Sequence, residues 1–208
     1  MKSTEIWKNI HTEREALAGT LDSLLEEQWN TMSWCEGWSV HKLTGHVVAA
    51  SEQTFAHFYT ELASAGFNFA RFTDLGAEKV AEASNVELVV RLRARLTTTN
   101  RPPAPVLAML GEIVVHGEDI RRPLGLEHHS PEAALLAVAE GWKNSNLLIG
   151  TKRRIAGLTL RATDVTWSHG QGPLVQGPLQ SLVLAMTGRK GVHGDLDGEG
   201  LVLLAARV

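Results

Sequence analysis

The 208-residue chain has a single cysteine, Cys35. One cysteine excludes an internal disulfide framework and points to a reducing, cytoplasmic setting. The chain also lacks any uninterrupted apolar run of the ~18 residues that a membrane-spanning helix requires, so no membrane partner is expected. It has no basic excess: 20 Lys and Arg stand against 23 Asp and Glu, with nine His, for a formal net charge of -3. The electrostatic footprint of a nucleic-acid binder is therefore missing. The opening stretch MKSTEIWKNIHTERE is charged and has no apolar segment of the signal-peptide kind, so no leader is expected. What is present is ordinary for a soluble globular protein, at 44% hydrophobic and 21% charged residues. That composition is enough to build one large core or two small ones.

The apolar pattern divides the chain. Ile6, Ile10, Leu17, Leu21, Leu24 and Leu25 recur at helical spacing and predict a helix over about 4–27. Residues 34–38 read as a loop. Ser39 offers an N-cap, with Trp38 and Leu43 placed as a hydrophobic staple, for a helix running from Val40 to about Ser64. A third helix is expected from Ser84 or Asn85 across VELVVRLRARL. After the break at Pro102, Pro103 and Pro105 a fourth covers about 105–122, stopped by Pro123 and Gly125. Ser130 and Pro131 open a fifth that reaches roughly Leu148. Beyond Gly150 the texture changes. LTLRA (158–162), VTWSH (165–169) and LVLLAA (201–206) have strand character, many glycines punctuate them, and 178–187 reads as a helix closed by Gly188. The expected fold class is α+β: a helical bundle over 1–150, then a small α+β domain over 151–208.

Two segments carry chemistry, GWSVHKLTGHV (37–47) and GEIVVHGEDIRRPLG (111–125). Glu112 and His116 are four apart on one helix, so their side chains leave the same face. They border the arc of Met109, Ile113, Val106, Gly117 and Ile120. His46 lies among Leu43, Val47 and Ala50, the inner face of its own helix. Two inward histidines and an inward glutamate make a three-ligand set that leaves one position open on a divalent metal, the pattern of a catalytic zinc site. Asp119, three residues past His116, is placed to orient that ring's second nitrogen. The same residues allow a metal-free reading. Inward histidines are commonly satisfied core residues, and Arg121 or Arg122 would neutralise a buried Glu112.

These two segments, together with LTLRATDVTWSHGQGPLVQGPLQSLVLAMTGR (158–189), resemble the mycothiol-dependent maleylpyruvate isomerase family of the DinB-like superfamily. The resemblance spans most of the chain. It implies a DinB-like bundle with a divalent ion, zinc, held by His46, Glu112 and His116, and mycothiol as the low-molecular-weight thiol. The implied reaction is thiol addition to a small electrophilic substrate. In the isomerase, the thiolate adds to a cis double bond, and rotation and elimination follow. Other members are thiol S-transferases. The resemblance also carries Arg189 over as the essential arginine, a catalytic and thiol- or substrate-binding cation, and its other reading is a helix-end cation on the dipole. Trp38 is a candidate pocket wall for the thiol or, alternatively, only a staple. Cys35 has no neighbouring cation to stabilise a thiolate. His128 and His129 read as exposed loop residues, and GQGPLVQGP lacks the lysine and spacing of a phosphate loop. A non-enzymatic metal or small-molecule binder and a metal-dependent hydrolase are the competing functions. Monomer and homodimer both remain open.

Overall fold

Charge falls on an apolar stripe in the first helix, α1 (Ser3–Asp22): Glu13 and Arg14 are buried in line with Ile10, Leu17 and Leu21. The computed structural model, which describes residues 1–147 and 149–207, ends this helix earlier than expected. The Ser23 hydroxyl donates to the Thr20 carbonyl (2.7 Å) and competes with the next helical turn. A 3-10 turn, Glu26–Asn30, follows, and Leu25 is left exposed.

Ser39 does cap the next helix, α2 (Val40–Glu52), its Oγ accepting from the Lys42 amide at 3.2 Å. The single helix expected over 40–64 is two. Gln53 is extended, and Thr54 opens α3 (Phe55–Ser64) by accepting from the His57 amide. A further helix, α4 (Phe69–Val80), was not foreseen; Asn68 caps it by accepting from the Arg71 amide at 3.0 Å. Gly45 explains how closely α4 approaches α2. A Cβ there would stand 2.9 Å from the Ala77 carbonyl oxygen, so only glycine admits the contact. Ser84 and Glu87 form a capping box on α5 (Asn85–Arg93). The proline bend then leads into α6 (Val106–Arg121), which ends before Pro123 and the left-handed Gly125. Helices α1, α2, α5 and α6 enclose a core in which Ile10, Leu17, Leu43, Leu88, Leu92 and Leu110 are fully buried.

This bundle is one compact unit, Met1–His128. The second is His129–Val208, so the boundary expected near 150 lies inside it. Its first helix, α7 (Glu132–Trp142), has Pro131 rather than Ser130 in the capping place. It stops well short of the expected end at Leu148, which itself lies outside the described residues. Helix α7 packs on α9 (Leu179–Met186), whose residues are all buried. A four-residue helix, α8 (Thr151–Arg154), precedes a three-stranded sheet ordered β2-β1-β3. Strand β1 (Thr159–Ala162) pairs antiparallel with β2 (Ser168–His169), Leu160 opposite His169. It pairs parallel with β3 (Leu174–Gly177), Leu160 opposite Val175.

The LVLLAA run is not a strand but helix α10 (Leu201–Ala205). The outer edge of β3 is already taken: Gln176 and Asp197 exchange backbone hydrogen bonds of 2.8 Å, and the Gly200 amide donates to the Leu174 carbonyl. With that edge covered, the run closes its hydrogen bonds internally.

Candidate functional site

His46 on α2 and Glu112 and His116 on α6 converge within the first unit. His46 Nε2 lies 3.5 Å from Glu112 Oε1, and the His46 and His116 rings meet edge to face with centroids 5.1 Å apart. The convergence follows from the two buried stripes. Leu43 and Val47 turn one face of α2 inward, Met109 and Ile113 do so for α6, and the polar residues one step away meet at the border. The Asp119 carboxylate, fully buried, accepts from His116 Nδ1 at 2.9 Å. A proton held on Nδ1 leaves Nε2 as the lone-pair nitrogen, the tautomer that a coordinating histidine needs.

The site is crowded but open to solvent. Glu112 keeps 27% of its side chain accessible, against 14% for His46 and 16% for His116. Burial pushes the Glu112 carboxyl above its ordinary range, and His116 and Arg14 partly offset this. Burial, with His116 adding to it, lowers His46 to about 3, so His46 is neutral. A neutral imidazole and a carboxyl group therefore face each other, too far apart for a good hydrogen bond. Among the described residues nothing hydrogen-bonds Glu112.

That arrangement suits a shared cation. Two ligands each ~2.0 Å from a tetrahedral zinc lie about 3.3 Å apart, close to the His46–Glu112 spacing. The donor set of two imidazoles and one carboxyl group, with Asp119 behind one ring, fits a divalent ion. As the side chains stand, however, no three His, Cys, Asp or Glu among the described residues are gathered into a ready-made cluster.

The cation facing Glu112 is one that sequence reasoning missed. Arg121 and Arg122 were the expected partners, but both pair with Glu118, at 3.6 and 2.9 Å, and Arg121 Nε donates to Thr20. Gly117 makes room for this, because a Cβ there would stand 2.8 Å from Arg121 Nη1. Arg14, only 2% exposed, instead lines a small depression with Glu112, Val47, Ser51, Met109 and Ile113. Its Nη1 donates to the carbonyls of Arg95 and Thr98, both at 3.0 Å. Burial lowers its pKa to about 10, and Glu112 acts against that shift. The available signal was positional: Arg14 is four residues after Ile10 and three before Leu17, on their stripe.

The loop before α2 brings Trp38 to the same place. Its ring lies 5.2 Å from that of His46, and Lys42 Nζ sits 5.4 Å from the indole. The Trp34 amide ties the loop to α6 by donating to the Asp119 carbonyl at 3.0 Å. His128 is not a bare loop residue, since its Nε2 is 3.0 Å from the buried Glu13 carboxylate. Cys35 is partly buried in this loop. Arg189 belongs to the second unit, where its Nη1 donates to the Thr187 carbonyl at the C-terminal cap of α9. That bond agrees with a helix-end cation.

Residues 10–104 match the model for the mycothiol maleylpyruvate isomerase N-terminal domain. That segment contains Arg14, Trp38 and His46; Glu112 and His116 lie beyond it. Among curated proteins, none matches the chain by sequence. Two solved structures share the fold: the mycothiol-dependent maleylpyruvate isomerase and a histidine-to-alanine mutant of it. Each aligns with a TM-score of 0.66 at 14% identity, over 96% of this chain and 93% of that one. The family resemblance seen in the sequence is therefore supported: residues 10–104 match the mycothiol maleylpyruvate isomerase N-terminal domain, and the chain has the maleylpyruvate isomerase fold.

Proposed function

We propose that the protein is a divalent-metal- and mycothiol-dependent enzyme, an isomerase or thiol S-transferase acting on a small electrophilic substrate. The observation that carries this reading is the convergence of His46, Glu112 and His116 from two helices, with Asp119 behind His116. The family match and the shared fold support the thiol. The three residues would hold the ion, zinc being the metal best suited to two imidazoles and a carboxylate. When bound, it would supply the positive charge that keeps a thiol deprotonated and nucleophilic near neutral pH.

The chain's own residues do the rest. His46 is held neutral by burial and so presents a lone pair rather than a proton. Asp119 keeps the His116 proton on Nδ1 and orients the ring. Arg14 adds a fixed positive charge beside Glu112, which favours anionic ligands. Trp38 forms a wall against His46 and limits water there. Arg189 is our candidate for binding an anionic group of the substrate or thiol. The single cysteine supports a reducing, cytoplasmic location.

The test combines metal analysis with turnover. The protein purified with zinc should hold close to one equivalent, consume mycothiol with monochlorobimane or isomerise maleylpyruvate, and lose both properties in His46→Ala. Zinc retained by both His46→Ala and Glu112→Ala would overturn the site. Zinc bound with no thiol-dependent turnover of any electrophile would make the protein a binder.

A further inference from the structure

The second unit contains a group of like charges that the proposed chemistry does not use. Arg153 and Arg154, the last residues of α8, and Arg207, just past α10, line one cavity of about 360 Å³ with Gly150. That volume is in the range that accepts a small molecule. Two of the three guanidiniums are fixed by backbone. Arg154 Nη1 donates to the carbonyls of Ile149 (2.9 Å) and Met186 (2.7 Å), and Arg207 Nη1 to those of Arg154 (2.8 Å) and Ala156 (2.7 Å). Each thus has one nitrogen anchored and the others left for a ligand.

Gly188, with φ of 98°, keeps the space beside Arg154 clear: a Cβ there would be 3.1 Å from its Nη2. Arg154 Nε is buried and has no hydrogen-bond partner. Among the described residues no carboxylate pairs with Arg153, Arg154 or Arg207, although salt bridges involve arginines elsewhere in the chain. The charges also act on one another. Burial, then the neighbouring Arg189 and Arg153, lower the Arg154 pKa. Three guanidiniums with no carboxylate partner, two of them anchored, gather positive charge around one cavity, and their planar forks match the oxygens of phosphate and carboxylate.

We propose that this cavity binds a small dianion, a phosphate ester or a dicarboxylate, through its anionic oxygens. The site rests on residues of the second unit alone and stands independently of the thiol chemistry.

The test titrates the full chain with inorganic phosphate and, separately, with succinate, at constant ionic strength set by chloride. Calorimetry and thermal shift are the readouts. Saturable binding is expected, weakened about tenfold in Arg153→Gln and in Arg207→Gln, and unchanged in the control Arg71→Gln. Arg153 is exposed and its side chain donates no hydrogen bond among the described residues, so Arg153→Gln keeps the fold even if Arg207→Gln does not. Preference for phosphate would name a phosphate ester as the ligand class, and preference for succinate a dicarboxylate. Absence of saturable binding of either at about 10 mM, or equal affinity in Arg153→Gln and the parent, would overturn the proposal.

Discussion

The middle and the C-terminal end of α6 (Val106–Arg121) carry the same kinds of charged side chain under opposite conditions. At the C-terminal end, Glu118, Asp119 and Arg121 have almost no exposed surface; Glu118 and Arg121 face each other, and Asp119 holds the His116 ring. Glu118 pairs with Arg121 and Arg122, and Glu13 acts on Arg121 from α1. Two turns earlier, Glu112 is reachable by solvent, has no hydrogen-bond donor on it, and faces a neutral His46. One helix thus joins a closed ionic network to an open donor set. Buried charges that compensate each other hold a fold together; converging polar groups left uncompensated within reach of solvent mark a binding site.

Removing a charge from the closed end should have the largest effect. Arg121→Ala leaves Glu118 buried without one of its two cations and is expected to cost about 3–5 kcal/mol, read from urea unfolding. A loss below about 1 kcal/mol would erase the distinction between the two regions. In the open middle, Glu112→Gln should lower zinc affinity in equilibrium dialysis by more than about 100-fold. It should change stability by less than about 1 kcal/mol, because a carboxylate whose pKa is raised by burial is itself unfavourable.

Asp119→Asn probes the link between the two regions, since it belongs to the buried set yet serves His116. The expected loss of zinc affinity is about 10-fold to 100-fold, with His116 still present. An unchanged affinity would remove Asp119 from the site.

The last test is one of pH. His46 is held at about 3 in the folded protein against 6.5 for a free imidazole. Between those values the unfolded chain takes up a proton that the folded chain refuses, so stability falls as pH drops through that window. The slope reaches at most about 1.4 kcal/mol per pH unit. Glu112 works with the opposite sign, because its raised pKa favours proton uptake by the folded state. The comparison is therefore best made between metal-free Glu112→Gln and the same variant carrying His46→Gln. Identical pH profiles would show that His46 is not desolvated.

Much of the site was legible because it lies on regular helices. Four residues of spacing put Glu112 and His116 on one face, three more placed Asp119 behind His116, and Ser39 marked the start of the helix that carries His46. Arg14 was overlooked although its stripe was visible, since a charged residue among leucines reads as an exposed edge until its partners are known. The break at Gln53 and the helix from Phe69 went unread for a related reason. Helix α3 buries no residue, so its apolar positions follow no core-facing period, and short polar caps decide its ends.

Local sequence determined the helices, their caps and the border positions of the donors, because periodicity and capping act within a few residues. Tertiary structure alone decided which cation faces Glu112, since Arg14 reaches it through packing of α1 against α6. It also turned LVLLAA into a helix, because residues 197–200 had already covered the sheet edge that a strand there would have used. Both outcomes depend on which surfaces remain open once distant segments have paired, and no local pattern carries that information.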